Sequence, residues 1–238
     1  MPDGELRGRV ALVTGGSGGI GSAICAALQR AGATAISLDL AQPKDKAPWI
    51  ACDIRSDDAV RSAVERAAAD HHRLDILVHA AGVSRDAVLW KATVEDWDFI
   101  QSVNLRGAFL LLRHGIPHLR AVGAGRIVLI GSINGSRGKF GTAAYSASKA
   151  GLLGLMKTAA REVGRFGILV NVVEPGWVRT PLTDAVPQEV RDAAVKESLL
   201  GVLLDPSDIA NAVLYLCSEG GRRITGQILR VDGGQQIG

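Results

Sequence analysis

The stretch that decides the fold covers residues 10–21 and reads VALVTGGSGGIG. Its first part, Val10–Val13, is a short apolar run typical of a buried strand, and a helical pattern begins at Ser22. Glycines between a strand and a helix let the backbone approach a pyrophosphate closely, and the N–H groups at the helix N-terminus favour its negative charge. The stretch therefore predicts a strand–turn–helix unit that binds a dinucleotide, with an ordinary tight turn as the alternative.

Strand-like and helix-like runs alternate along the chain from Val10 to Val231. This alternation is typical of βαβ units, whose right-handed crossovers place helices on both faces of a parallel sheet. The crossover between residues 39 and 53 contains Pro43 and Pro48, which disfavour a full helix there and predict a loop. With 238 residues, 47% of them hydrophobic, the chain can bury one large core. We therefore expect an α/β fold in which residues 1–238 form one domain, a single Rossmann-type doubly wound parallel sheet with helices on both faces.

A proton-transfer site is indicated by Ser132, Tyr145 and Lys149. A lysine four residues after a tyrosine lies on the same face of a helix, where its ammonium can lower the phenol pKa from about 10. Ser132 follows the apolar run 126–130, at a strand end that would leave its hydroxyl facing a cleft. A tyrosine and a lysine at this spacing also occur by chance on solvated helix faces, so other motifs have to decide.

Taken together, the motifs resemble the short-chain dehydrogenase/reductase superfamily over essentially the whole chain. They are Thr14-Gly15-x-x-x-Gly19-Ile20-Gly21, Asn104, Ser132 and Tyr145-x-x-x-Lys149, with further matches at 79–82, 171–176 and 224–234. The resemblance implies hydride transfer between a nicotinamide cofactor and a carbonyl or secondary alcohol. The chain departs from the family at His79-Ala80, where many members carry paired asparagines. A structural histidine is expected there, and a catalytic one is the alternative.

The resemblance also implies roles for individual residues. Tyr145 would exchange a proton with the substrate oxygen, Ser132 would hydrogen-bond that oxygen, and Lys149 would lower the tyrosine pKa and hold the nicotinamide ribose. The Asn104 side chain would bind a water that links Lys149 to solvent, and Asp53 would hydrogen-bond the adenine amino group. The cofactor-binding residues implied by the resemblance or by the motifs are Gly15, Ser17, Gly18, Gly19, Ile20, Asp39, Asp53, Ile54, Ala81, Gly82, Tyr145, Lys149, Pro175, Gly176, Val178 and Thr180.

The choice of cofactor depends on Asp39, which follows the second expected strand, Thr34–Leu38. A carboxylate there can accept both hydrogen bonds of the adenosine ribose diol and would repel a 2′-phosphate, which favours NAD. The glycine loop has no arginine to pair with a phosphate, although Lys44 and Lys46 follow shortly, and an aspartate in an ordinary turn is the alternative. Biosynthetic reductases of the group that this chain resembles most within the superfamily usually take NADPH. The resemblance and Asp39 therefore favour different cofactors.

Residues 183–204 are predicted to form a substrate lid, in which the amphipathic run Gln188–Val195 covers the pocket. A surface helix packed permanently on the sheet is the alternative, and Trp177 and Phe140 are expected to flank the opening. The lid and its neighbouring loop are most similar to the 3-oxoacyl-acyl-carrier-protein reductase group, which implies a 3-oxoacyl or 3-hydroxyacyl thioester carried on CoA or a carrier protein. The alternatives are an NAD-dependent secondary-alcohol, diol or steroid-type dehydrogenase and, more remotely, a non-catalytic dinucleotide-binding protein.

Composition argues against several other functions. The 27 basic and 24 acidic side chains leave a charge of only +3 with no basic block, so we expect no nucleic-acid partner. Cys25, Cys52 and Cys217 lack metal-ligand spacing, and we expect buried thiols and no metal site. No apolar run is long enough for a signal peptide or a membrane span, which favours a cytoplasmic location.

A homo-oligomer, specifically a tetramer, is also expected. The resemblance implies it, and the predicted helix Tyr145–Glu162 carries a second apolar face with Leu152, Leu155 and Met156. This face is wider than one contact with a sheet needs, which would leave part of it for another subunit. The alternative is that the face belongs wholly to the core.

Overall fold

A computed structural model describes residues 4–44, 47–180, 183 and 186–237. Lys46, Asp184 and Ala185, on which parts of the cofactor and lid predictions fall, lie outside the described residues. Within the described part, the strands are β1 (Val10–Thr14), β2 (Thr34–Asp39), β3 (Trp49–Ala51), β4 (Ile76–His79), β5 (Gly125–Ile130), β6 (Ile168–Pro175) and β7 (Ile228–Val231). They form one parallel sheet of seven strands in the order β3-β2-β1-β4-β5-β6-β7.

Helices occupy most of the crossovers between these strands. They are α1 (Gly19–Arg30), α2 (Asp57–His71), α3 (Val94–Gln101), α4 (Gly107–Val122), α5 (Ile133–Arg137), α6 (Ala143–Val163), α7 (Gln188–Glu197) and α8 (Pro206–Cys217). Local sequence explains several helix starts: Ser56 caps α2 by accepting from the Ala59 N–H, and Asp205 and Asp208 form a capping box at α8. The described residues between β2 and β3 form no helix, as the two prolines predicted.

The sheet is doubly wound, as predicted. Strand β1 pairs with β2 on one side and with β4 on the other, so the strand order reverses at β1. Residues of β1 alternate between two apolar clusters: Val10 and Leu12 pack with α2, α4 and α6, while Ala11 and Val13 pack with α1 and α8. Because helices cover both faces, the strand is apolar at every position rather than at every second one. Ligands bind such sheets where the strand order reverses, at the carboxyl ends of the strands.

The second apolar face predicted for α6 belongs largely to the core. Leu152 and Met156 are fully buried in the core shared with α2 and α4, and Leu155 is partly buried against it. The alternative was therefore correct for Leu152 and Met156, because one helix of a three-helix layer contacts both the sheet and its neighbours.

The three cysteines are buried, as predicted, and none of them is in a disulfide bond. Burial disfavours the thiolate and raises the pKa of Cys52 to about 11 and that of Cys217 to about 12. These thiols are therefore protonated at neutral pH. Across the part of the chain that the structure describes, no helix is both long enough and apolar enough to span a lipid bilayer.

Candidate active site

The turn after β1 is closely packed on two sides, which explains its glycines. Gly15 has φ +66°, and a Cβ there would lie 2.7 Å from the Ala81 Cα after β4. A Cβ on Gly21 would lie 2.1 Å from the Gly15 carbonyl oxygen. The first turn of α1 has no side-chain cap, so its backbone N–H groups remain available to a ligand. The turn can therefore hold an anionic group at the helix N-terminus.

Asp39 lies at the end of β2, against the glycine turn. Its Oδ2 accepts a hydrogen bond from the Ser17 N–H at 3.1 Å, and its Oδ1 accepts one from the Ala41 N–H at 3.3 Å. The Ser17 hydroxyl donates to the Ala41 carbonyl at 2.6 Å, which fixes the turn to the residues that follow β2. Each carboxylate oxygen has further lone pairs, so the pair of oxygens can still accept a ribose diol. These features fit the adenosine side of a dinucleotide.

Asp53 is engaged by a neighbour that sequence reasoning missed. Its Oδ1 accepts from the Arg55 Nε at 2.9 Å and its Oδ2 from the Arg55 Nη2 at 2.7 Å. The Arg55 hydrogen bonds hold the pKa of the Asp53 carboxyl below its ordinary value. The sequence could have indicated this ion pair, because the two residues have opposite charges and are only two positions apart. An adenine amino group would have to share this carboxylate with the guanidinium.

Ser132, Tyr145 and Lys149 meet in one cleft of about 330 Å³. Ser132 follows β5 in an extended conformation and caps α5, since its Oγ accepts from the Asn134 N–H at 3.2 Å. Tyr145 lies in the first turn of α6 and Lys149 one turn later on the same face. The Ser132 hydroxyl lies close enough to the Tyr145 phenol to lower its pKa. The cleft therefore places a hydroxyl, a phenol and an amine at the carboxyl end of the sheet.

The lowering of the Tyr145 pKa that the sequence predicted from Lys149 does not prevail in this structure, where the pKa is raised. Burial raises the pKa of Tyr145, the negative charge of Asp86 adds to that effect, and the Ser132 hydroxyl only partly opposes it. The Lys149 Nζ lies 5.7 Å from the centre of the Tyr145 ring and donates to the Ile130 carbonyl at 2.8 Å. Burial also lowers the pKa of Lys149 to about 8. The phenol is therefore a protonated acid at neutral pH, and Lys149 is mostly cationic there.

Asn104 lies in a π-helical turn, Ser102–Arg106, between α3 and α4. Its Oδ1 accepts from the Val83 N–H at 2.8 Å, and its Nδ2 donates to the Val83 carbonyl at 3.0 Å and to the Ser148 hydroxyl at 2.9 Å. Both amide protons are thus used within the protein, and only one lone pair of Oδ1 is left. The amide mainly fixes the chain after β4, and a water could reach it only by donating to Oδ1.

His79 links the glycine turn to this π-helical turn. Its Nε2 lies 3.1 Å from the Asn104 carbonyl oxygen, which can only accept, so Nε2 carries the proton. Nδ1 then accepts from the Thr14 hydroxyl at 3.0 Å, and the Thr14 Oγ1 accepts from the Ala81 N–H at 3.2 Å. Burial, together with the Lys149 charge, lowers the pKa of His79 to about 3. The ring is therefore neutral and fully hydrogen-bonded, which agrees with the prediction of a structural histidine.

The predicted cofactor residues divide into two groups along the sheet edge. Those that line the cleft are Ile20, Gly82, Tyr145, Lys149, Pro175, Gly176, Val178 and Thr180. Those that lie beyond its lining are Gly15, Ser17, Gly18, Gly19, Asp39, Asp53, Ile54 and Ala81. Ser84, Asp86 and Thr142 also line the cleft and were missed by sequence reasoning, because their place depends on how loops pair. Of the two predicted aromatic flanks, Trp177 lines the cleft, whereas Phe140 is 84% exposed and does not.

Helix α7, within the predicted lid, is exposed along most of its length, with only Ala194 buried. Its C-terminal end is held by two contacts, since the Gln235 Nε2 donates to the Ala194 carbonyl at 3.0 Å and Arg137 pairs with Glu197 at 3.0 Å. Val186, just before the helix, lines the cleft. The helix therefore adjoins the cleft and is anchored at one end.

Comparison with known proteins identifies the family. Residues 15–236 match the family model described as enoyl-(acyl carrier protein) reductase. The chain belongs to the short-chain dehydrogenase/reductase family. Members of this family are oxidoreductases that act on CH–OH groups with a nicotinamide cofactor, and this protein is such an oxidoreductase.

Individual relatives cover nearly the whole chain. The (3R)-3-hydroxyacyl-CoA dehydrogenase of Canis lupus familiaris is 40% identical over 97% of this chain and 97% of its own. The 3-oxoacyl-acyl-carrier-protein reductase of Thermotoga maritima is 34% identical over 98% of this chain and 100% of its own. Among solved structures, the aldohexose dehydrogenase of Thermoplasma acidophilum superposes with a TM-score of 0.93 at 28% identity, covering 98% of this chain and 96% of its own.

Proposed function

We propose that this oxidoreductase transfers a hydride between a nicotinamide cofactor and C3 of a 3-oxoacyl or 3-hydroxyacyl thioester. The observation that carries the proposal is the meeting of Ser132, Tyr145 and Lys149 in one cleft that adjoins the glycine turn. The named activities of the dog and Thermotoga relatives support the substrate class, since one acts on a CoA thioester and the other on a carrier-protein thioester.

The proposed mechanism assigns the proton steps to this chain's own residues. In the reductive direction the substrate oxygen lies between Ser132 and Tyr145, and the phenol donates its proton to that oxygen. The raised pKa of Tyr145 suits this role, because the group is protonated at neutral pH. Lys149 and the Ser132 hydroxyl then stabilise the phenolate that remains, through charge and hydrogen bonding respectively. Oxidation reverses these steps, with the phenolate accepting the alcohol proton.

We assign the cofactor as NAD, which supplies or accepts the hydride when bound. The N–H groups of Gly19 and Ile20 would hold its pyrophosphate, and the Asp39 carboxylate would accept the hydroxyls of the adenosine ribose. Asp39 lies against the glycine turn, where its Oδ2 accepts the Ser17 N–H, so its negative charge would lie close to a 2′-phosphate on that ribose. Repulsion of that phosphate supports NAD over NADP.

A steady-state comparison of substrates tests the proposed activity. Acetoacetyl-CoA with NADH should give a kcat/KM about 100-fold above the best member of a panel of secondary alcohols and aldohexoses with NAD. Crotonyl-CoA belongs in the same panel because of the family model's description, and it should turn over far more slowly than acetoacetyl-CoA. Tyr145→Phe serves as the background control for every substrate.

The reverse order of substrates would overturn the thioester assignment. Faster alcohol or sugar oxidation would favour a secondary-alcohol or sugar dehydrogenase, which the structural match to an aldohexose dehydrogenase and the carboxylate at Asp39 make the second candidate. Faster reduction of crotonyl-CoA would favour an enoyl reductase. Binding of NAD with no turnover of any substrate would favour a non-catalytic dinucleotide-binding protein.

We also propose that the protein is a homotetramer in the cytoplasm. Several large apolar side chains of the α3 region and of α4 are exposed, and burial between subunits would remove them from water. The most exposed are Leu89 at 71%, Trp90 at 80% and Val94 at 70%, with Trp97 at 41% and Phe109 at 45%. This surface replaces the buried face of α6 as the reason to expect association. Cell fractionation tests the location.

A further inference from the structure

A second cavity adjoins the catalytic cleft. It measures about 360 Å³ and is lined by the apolar side chains of Val195 and Leu203 and by the polar side chains of Arg179, Gln188, Arg191 and Asp192. Trp177 and Thr183 border both this cavity and the cleft that holds Tyr145, so they form part of the partition between them. Each cavity alone is at the small end of the range of roughly 300–1,000 Å³ typical of ligand pockets. Together they would hold a considerably longer ligand.

Trp177 is held in place from three directions. Its backbone N–H donates to the Gln235 Oε1 at 2.8 Å, and its carbonyl accepts from the Leu204 N–H at 3.0 Å. The Lys139 ammonium lies 4.7 Å from the centre of the indole, within the range of a cation–π contact. The preceding Gly176 has no room for a Cβ, which would lie 2.2 Å from the Gln235 Oε1. The indole is therefore a fixed wall.

The indole N–H takes no part in holding this wall. The Trp177 Nε1 is buried, and it has no hydrogen-bond partner within the described ranges of the chain. Buried donors are normally paired, so a tryptophan selected only to pack here would be an unfavourable choice relative to phenylalanine. What the side chain contributes at this place is its size and its flat apolar surface.

We propose that Trp177 limits the chain length of the substrate by closing the cleft against the second cavity. This inference rests on the proposed function, in which the reacting carbon lies at Tyr145. A short alkyl group beyond that carbon fits on the near side of the indole. A longer one meets the indole and is excluded, although a further space, lined by Val195 and Leu203 among polar side chains, lies behind it.

The test compares the chain-length profile of the native enzyme with those of Trp177 variants. The substrates are 3-oxoacyl-CoA thioesters with acyl chains of 4 to 12 carbons. The native kcat/KM should fall steeply with length, whereas Trp177→Ala should raise the ratio of the 10-carbon to the 4-carbon value by about tenfold or more. Trp177→Phe keeps part of the wall and should give a ratio between those of the native enzyme and Trp177→Ala. Tyr215→Ala, at an exposed aromatic side chain of α8 outside both cavities, is the matched control.

A double variant tests the second cavity itself. Trp177→Ala combined with Val195→Phe refills the space behind the removed indole and should return the ratio toward the native value. Thermal unfolding of each variant shows whether it is folded. If Trp177→Ala is folded and reduces the 4-carbon substrate, but leaves the ratio within about twofold of native, the inference is wrong.

Failure of the proposed function gives a different pattern. In that case the native enzyme reduces no thioester. The effect of chain length is then measured with linear secondary alcohols and NAD, as the ratio of kcat/KM for 2-decanol to that for 2-butanol. Binding of 2-dodecanone, followed by calorimetry, needs no turnover at all. Binding should be detected only in Trp177→Ala. Equal binding by the native protein and the variant would show that Trp177 does not close the cleft against the second cavity.

Discussion

Replacement of the buried His79 by asparagine should change how the stability of the protein depends on pH. Burial lowers the pKa of His79 from 6.5 to about 3, so the unfolded chain takes up a proton below pH 6.5 and the folded protein does not. The stability that depends on a neutral His79 is therefore complete above pH 6.5 and is lost as the pH falls toward 3. At pH 4.5, two units below the unfolded value, the loss from this one group is about 2.5 kcal/mol.

At pH 7 the variant should be the less stable protein. His79→Asn removes the contacts to the Asn104 carbonyl and the Thr14 hydroxyl, which costs about 1–3 kcal/mol. Because asparagine does not titrate, the difference from native should shrink or reverse by pH 4.5. Acid effects from carboxylates are common to both proteins and cancel in the comparison.

Urea unfolding at pH 7.0 and 4.5, at one fixed protein concentration, measures the difference in free energy of unfolding between the native protein and His79→Asn at each pH. His71→Gln, at an exposed histidine at the end of α2, should follow the native protein at both pH values. A gap between native and His79→Asn that stays the same at both pH values would refute the claim that His79 is neutral, buried and hydrogen-bonded on both nitrogens.

Other predictions concern the cofactor, the chemistry and the assembly. NADH should bind at least about tenfold more tightly than NADPH in a fluorescence titration, and Asp39→Ala should narrow that gap; a native preference for NADPH would contradict the assignment. Tyr145→Phe should lower kcat about 10²- to 10⁴-fold with cofactor affinity nearly unchanged, and near-native turnover would remove Tyr145 from the mechanism. Lys149→Ala should weaken cofactor binding and lower kcat in the same assays, and an effect on kcat alone would argue against a contact between Lys149 and the nicotinamide ribose. Light scattering at about micromolar concentration should give a tetramer that Trp90→Glu weakens, whereas a native monomer would defeat the assembly.

The sequence by itself determined the architecture and singled out Ser132, Tyr145 and Lys149, which line one cleft. The apolar run 10–13, the glycine turn and the alternation of strand-like and helix-like runs specify a parallel sheet covered on both faces, because these patterns are local and repeat at fixed periods. The spacing of Tyr145 and Lys149 also gave their shared helix face, since four residues make about one turn. The pair Asp53 and Arg55 was within reach of the same reasoning, because its charges are two residues apart.

Only the tertiary structure decided how the site groups behave. The pKa of Tyr145 rises because folding excludes water and brings Asp86 near it, and neither effect is visible in the spacing of residues 145 and 149. The Asn104 amide is committed to Val83 and Ser148, which are 21 and 44 positions away in the chain. Trp177 borders two cavities because distant segments meet around it. Burial and contacts between remote groups set these properties, and a linear pattern encodes neither distance in space nor exclusion of solvent.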